Sequence, residues 1–202
     1  MRKELGPVVA AICLVIAGLG WQLGIASAKG WTNFLPPQFQ IPTGPFQSIS
    51  ANSQGHLYIT DDTHSRVLVY DNNGRFMRSW FVDAKGGGPF AISIDARDNI
   101  IVAAGRKKTV DTYDPVGRLI AVREDENAYS QMPNSKICTA PNGMRWEIID
   151  SWLYPRIQGE AANGTVRKMI SPPLWLWSFT GPLPLLVFWT LALGLVFWSR
   201  RP

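Results

Sequence analysis

Between Gly44 and Ile170 the chain states one phrase twice clearly and a third time more faintly. The first copy runs Gly44-Pro45-Phe46, Ile49, Gln54-Gly55-His56-Leu57-Tyr58-Ile59, Arg66-Val67-Leu68-Val69-Tyr70-Asp71 and Asn73-Gly74-Arg75-Phe76. The second answers with Gly88-Pro89-Phe90, Ile92, Asp98-Asn99-Ile100-Ile101-Val102, Thr109-Val110-Asp111-Thr112-Tyr113-Asp114 and Val116-Gly117-Arg118-Leu119. Gly55 to Asp98, Val67 to Val110, Tyr70 to Tyr113 and Gly74 to Gly117 are each separated by 43 positions. A third copy is read from Ile137, Pro141-Asn142-Gly143-Met144-Arg145-Trp146 and Asn163-Gly164-Thr165-Val166, where Gly117 to Gly164 is a step of 47 and no middle strand stands out. A repeat of this kind commits the chain to units of a few short strands that bury their apolar faces only against one another.

The punctuation of the repeat has a mechanical reason. Hairpin turns need a residue at positive φ, which Gly adopts without a Cβ penalty, and Gly55, Gly74, Gly117, Gly143 and Gly164 stand at the turns. A period of roughly 40 to 50 residues with several strands per unit is the signature of a propeller blade. The unbroken stretch from Leu57 to Phe76, with Asp61 before an Arg66-Val67 strand and Asn73-Gly74 at the turn, resembles the NHL-repeat β-propeller family, and Gly86-Gly87-Gly88-Pro89-Phe90 resembles its entry to the next blade. The resemblance implies that Asp61, with Arg66, braces the loop ahead of the Arg-Val strand. In the second copy Ala104 and Lys108 stand near the places of the family's loop aspartate and asparagine, a departure from the pattern.

Two apolar segments bracket the repeat. Leu5 to Ala28 carries no charge and follows Arg2 and Lys3. It reads either as an uncleaved anchor or as a signal peptide cut after Ala26-Ser27-Ala28; signal cores have about 7–15 apolar residues and spanning helices about 20. Thr180 to Trp198 is a second uncharged run, ending at Ser199-Arg200-Arg201, with Trp175, Trp177 and Trp198 near its ends, and is expected to span the membrane. Basic residues at both chain ends place both termini in the cytoplasm and the repeats on the periplasmic or extracellular side. Of the formal charge of +5, a balance of +4 lies outside residues 30 to 171, so the basic pI reflects membrane topology and gives no support to nucleic-acid binding.

Chemistry in the exported part is sparse. Cys13 lies in the first apolar segment and Cys138 in the domain, so no internal disulfide is expected. His56 and His64 are the only histidines, few for a zinc or copper site. Asp61, Asp62 and His64 form one polar cluster that could move protons or brace a loop. Arg106-Lys107-Lys108 is a basic run between strands, either a solvated turn or a contact for an anionic partner. No nucleophile elbow and no phosphate-cradling loop is present.

The fold expected is therefore a mainly β exported domain of propeller-type four-stranded blades, two to three in number, flanked by an N-terminal and a C-terminal transmembrane helix. Its parts are an anchor or signal segment at 1–29, a linker at 30–43, the β-repeat domain at 44–171 and a C-terminal helix at 172–202. Two or three blades cannot close a ring of 4 to 8. That shortfall implies company: a second copy or another membrane protein, with membrane lipid as the remaining partner. The function expected is a structural or accessory interaction module that is no enzyme and needs no cofactor. The alternative is a small propeller-type hydrolase or lyase with Asp61, Asp95 or Asp98 near a central metal.

Overall fold

A computed structural model describes residues 2–40, 44–149 and 154–199. Helix α1 (Arg2–Ala28) is followed by strands β1 (Phe46–Ala51), β2 (Leu57–Asp61), β3 (Arg66–Tyr70) and β4 (Phe76–Phe81). Then come β5 (Phe90–Ile94), β6 (Ile100–Ala104), β7 (Thr109–Tyr113), β8 (Leu119–Glu124) and a short helix α2 (Ala128–Gln131). The third group is β9 (Ile137–Thr139), β10 (Arg145–Ile149), β11 (Arg156–Glu160) and β12 (Val166–Ile170), with helices α3 (Leu174–Thr180) and α4 (Pro182–Ser199) behind it. The strands form three four-stranded antiparallel sheets, each a meander in chain order.

One turn chemistry builds the first two sheets. Asn52, Asp71, Asp95 and Asp114 open their turns, and each side-chain Oδ1 accepts backbone N–H bonds from the residues two and four positions on. The N–H of the residue three positions on returns to the opener's carbonyl, and that residue is Gly55, Gly74, Asp98 or Gly117, all at positive φ. This is the Asx turn that Asn and Asp favour. In the third sheet the same backbone bonds recur at Gly143 and Gly164, but the openers are Ala140 and Ala161. The missing carboxylate explains why the third copy is fainter in sequence. Its middle strand, which the periodicity leaves unassigned, is β11, with Arg, Gln and Glu on one face. There Gly159 is required by contact: a Cβ would meet the Trp146 indole at 2.8 Å.

The sheets pack in the spatial order third, first, second. Leu57, Ile59, Leu68 and Tyr70 on one face of the first sheet meet Trp146, Ile148, Ile157 and Ile170 of the third. Tyr58, Val67, Val69 and Trp80 on its other face meet Phe90, Ile92, Ile100, Val102 and Tyr113 of the second. The chain therefore leaves the second sheet and crosses back to the far side of the first. Backbone bonds Ile49 N to Ser135 O and Ile148 N to Lys136 O hold the returning segment beside β1 and β10.

Each end of this arc is covered differently. On the free face of the third sheet, Arg145 lies between Glu147 (3.2 Å) and Glu160 (3.7 Å), and Gln158 bonds Glu160. That ladder makes part of the outer face polar, as terminal repeats need for solubility, while Ile137 and Met169 beside it are exposed. On the free face of the second sheet, Ala128 and Tyr129 of α2 and Met132 just after it rest on Ile101, Ala103 and Val110.

Helix α1 contains 23 residues, Gly6–Ala28, apolar and long enough to cross a membrane. One seam of it is small and buried: Ala10, Cys13, Ala17 and Gly20 recur at steps of three and four, and Ser27 follows seven residues on. Phe188, Ala192, Leu195 and Val196 of α4 pack on the first two of these. At Gly20 a Cβ would fall 2.0 Å from the Phe179 carbonyl oxygen, so the backbones touch there. The expected C-terminal span is not carried as clearly. The chain breaks between α3 and α4 at Gly181, in extended conformation, and the apolar helical stretch Pro184–Trp198 is shorter than α1's. The basic residues Arg200 and Arg201 lie outside the described residues.

Candidate functional site

The polar cluster singled out by sequence lies where the first sheet meets α1. Asp61 ends β2, and its carboxylate is saturated by local donors. Oδ2 accepts the Gly44 N–H at 2.6 Å and faces His64 Nδ1 at 2.9 Å, while Oδ1 accepts the His64 N–H at 3.1 Å. The Ser27 hydroxyl of α1 donates to the His64 carbonyl, and His64 Nε2 lies 3.5 Å from where a Gly24 Cβ would stand. Asp61 and His64 are both buried, so the pair links the loop after β2 to the helix.

Arg66 sits opposite Asp61 in the β2–β3 ladder, yet its guanidinium turns elsewhere. Nε and Nη2 donate to Ser79 Oγ at 3.2 and 3.0 Å, and Nη1 to Thr32 Oγ1 at 3.5 Å. Burial lowers its pKa to about 10, partly offset by the Asp61 charge. Asp62, the neighbour, is raised to about 7 by burial first and by the Asp61 charge second. Its Oδ1 has no hydrogen-bond partner.

The other sequence candidates are held locally. Of the basic run, Lys107 bridges Asp111 at 3.1 Å and Asp83 at 3.6 Å, and Lys108 pairs with Glu126 at 2.8 Å, which lowers the pKa of that carboxyl. Arg106 is exposed and lies along Gly88. Asp95 holds its own turn, and Asp98 bonds the backbone and hydroxyl of Ser53, tying a turn of the second sheet to one of the first. Asp61, Asp95 and Asp98 are thus each engaged separately, and among the described residues no three His, Cys, Asp or Glu side chains form a group that could hold a metal.

Two surfaces carry exposed apolar side chains, and the first was not singled out from sequence. Every residue of β8 is exposed, although Leu119, Ile120 and Val122 are apolar. Sequence periodicity places β8 in the repeat but carries no sign that its neighbour is absent. Trp31, Phe34 and Phe39 in the lead-in, and Leu174, Trp175 and Phe179 of α3, are also exposed. Lys29 Nζ stands 4.9 Å from the Trp31 ring centroid.

No family model matches the chain, and no curated protein matches it. Solved structures are similar in fold. One is a streptogramin B lyase, 16% identical with a TM-score of 0.37, the match covering 72% of this chain and 46% of that one. Another is virginiamycin B lyase from Staphylococcus aureus, at 16% identity and TM-score 0.34, covering 64% and 42%. A third is a protein of unknown function from Bacteroides caccae, at 13% and 0.34, covering 67% and 53%. The chain spans about half the length of these proteins. The neighbours are β-propeller proteins of the virginiamycin B lyase type, and the NHL family itself stays a resemblance. The expectation that the chain is no enzyme is corrected here, since two of these three neighbours are lyases and the sheet arrangement gives no ground for excluding catalysis. At such identity and TM-score nothing of their chemistry passes to this chain.

Proposed function

We propose that the chain is a membrane-anchored, extracytoplasmic β-repeat module, NHL-like in its first two repeats, that works in an assembly joined along β8. In this reading α1 and α4 cross the bilayer as a packed pair with both termini cytoplasmic. The exposed Trp31, Phe34 and Trp175 then lie at the headgroup layer, where indole and phenyl rings favour the interface. The observation that carries the proposal is β8: an outer strand with Leu119, Ile120 and Val122 each more than half exposed. An exposed apolar edge strand is a template for pairing with another chain.

The partner favoured is a second copy. An antiparallel pairing about a two-fold axis between Ala121 and Val122 sets Arg118 of one copy opposite Asp125 of the other, and such an interface is self-complementary. The Arg145 ladder and α2 each cover part of an end face, and in this reading association falls to the β8 edge rather than to the completion of a ring. The mass of the protein in mild detergent tests this. A particle of twice 22.5 kDa plus detergent is expected, and Val122→Lys should return it to one. A well-behaved monomer of the unaltered chain overturns the second-copy reading, and a stoichiometric foreign protein in its place would assign the edge to a larger membrane assembly.

A further inference from the structure

The strands of the first two sheets run antiparallel, so their connections gather at two ends. The turns opened by Asn52, Asp71, Asp95 and Asp114 lie at one end, and the β2–β3, β4–β5 and β6–β7 connections lie at the other. The second end is the one that meets α1. Ser27 donates to the His64 carbonyl in the β2–β3 loop, and a Cβ on Gly87 in the β4–β5 connection would stand 3.9 Å from that of Ala28. A Cβ on Gly88 would come within 2.7 Å of the Arg106 side chain, so the β6–β7 loop reaches the same place.

Three cations stand around this junction. Lys29 follows Ala28 directly, Lys85 lies two residues before Gly87, and Arg106 runs along Gly88; all three are exposed. Among the described residues none of them has a carboxylate within ion-pair distance. The carboxylates of the same end are engaged elsewhere: Asp61 is bonded by Gly44 and His64 with Arg66 opposite it, Asp83 and Asp111 share Lys107, and Glu126 pairs with Lys108. Asp62, raised to about 7 by burial, keeps part of its proton at neutral pH. On the outer strand β8, Glu124 is exposed and Arg123 pairs with Asp125 at 3.1 Å.

The backbone at Lys85 points the same way. Lys85, Gly86 and Gly87 are successive residues at positive φ, 53°, 75° and 79°, a conformation that favours glycine. A lysine at the first of these places does nothing for the turn. The lead-in that continues from Lys29 carries Trp31, 63% exposed with its ring centroid 4.9 Å from Lys29 Nζ, and Phe34, 82% exposed. Basic and aromatic side chains together at the end of an apolar helix match the layers of a bilayer surface, phosphate outside and acyl chain within.

We propose that Lys29, Lys85 and Arg106 form a collar at the end of α1 that binds the phosphate of an anionic phospholipid headgroup, with Trp31 and Phe34 set in the acyl boundary. The collar rests on the reading that α1 spans the bilayer, and adds to it the lipid class and the residues that select it. A lipid bound there ties loops of both sheets to the membrane.

The test uses the full chain in vesicles of phosphatidylcholine alone and of phosphatidylcholine mixed with phosphatidylglycerol. Alkaline carbonate is expected to leave the chain in both membranes; release would overturn the span and the collar with it. After mild detergent extraction from the mixed vesicles, native mass spectrometry should find phosphatidylglycerol retained over phosphatidylcholine by about tenfold or more. Lys85→Gly, which removes the charge while easing the backbone, should cut that preference about fivefold, and so should Arg106→Gln. Arg97→Gln removes the same charge from the turn at the opposite end of β6 and should leave the preference unchanged. A chain that stays in the membrane without the preference would overturn the collar and leave the span standing. So would an equal loss in Arg97→Gln, which reports net charge alone, or displacement of the lipid by an equal concentration of soluble glycerol phosphate, which would make this a site for a free anion.

Discussion

The first and second sheets repeat one phrase at an interval of 43 residues, yet they live in different surroundings. Strands β2 and β3 are buried along their whole length, because the third sheet covers one face and the second sheet the other. In the second sheet β8 is exposed throughout, and the free face is covered only by the four residues of α2. The pattern of side chains is shared and the burial is not. Position in the arc, rather than the repeat itself, decides which sheet supplies stability and which supplies surface.

The sharpest break of that contrast would be a failure of Leu68→Ala to matter. Leu68 is fully buried between the first and third sheets, and truncating such a side chain costs about 2–5 kcal/mol through lost transfer energy and the cavity left behind. Val122→Ala, on the exposed strand, should stay within about 0.5 kcal/mol. Urea unfolding of the full chain in detergent measures both, and equal costs would mean that the first sheet is not the centre of the core.

A second contrast lies in the loops. The first sheet's loop is braced by the Asp61 carboxylate, whereas its counterpart Ala104 contributes only a backbone bond, from Lys108 N to Ala104 O at 2.8 Å. Asp61→Asn removes a buried charge-assisted acceptor and should lower stability by about 1–3 kcal/mol, with hydrogen exchange quickened at Gly44 and His64. If those amides stay protected, the carboxylate is not what holds the loop.

Asp62 sharpens the same contrast through pH. Its folded pKa of about 7 lies above the ordinary 3.8, so the folded state keeps a proton that the unfolded chain releases. Stability should therefore fall as pH rises from about 4 to about 7, with the penalty complete above that. Asp62→Asn should flatten this slope and stabilise the protein at pH 8 by about 2 kcal/mol, a figure reduced for the partial exposure of the group. An unchanged slope would place the titrating group elsewhere.

How much of this was legible followed from which turns carry their own chemistry. Asp71, Asp114 and the glycines three residues later announce the hairpins of the first two sheets, so their strands could be placed from sequence. Ala140 and Ala161 do not, and β11 hides its apolar face behind Gly159, whose role exists only because Trp146 lies over it. The order third, first, second was invisible because periodicity describes units and not their neighbours. Arg66 was legible as a loop residue from the family resemblance. That its guanidinium turns to Ser79 and Thr32 rather than to Asp61 was not legible, because Thr32 lies far from it in the chain and meets it only in the fold.

The turn glycines give the smallest and most exacting test, because the same backbone conformation occurs in crowded and open places. Gly117 (φ +94°) lies on the face of Trp80, where a Cβ would come within 2.6 Å of the indole carbons; Gly143 (φ +75°) has nothing within 4 Å. Alanine at either position carries the strain of a left-handed residue, about 1 kcal/mol. At Gly117 the indole must also give way, and since Trp80 is clamped between Tyr58 and Tyr113 it has little room to do so. Gly117→Ala should therefore cost about 1–2 kcal/mol more than Gly143→Ala. Equal costs in thermal unfolding would show that Trp80 moves freely, and the contact between the first and second sheets would then be looser than that between the first and third.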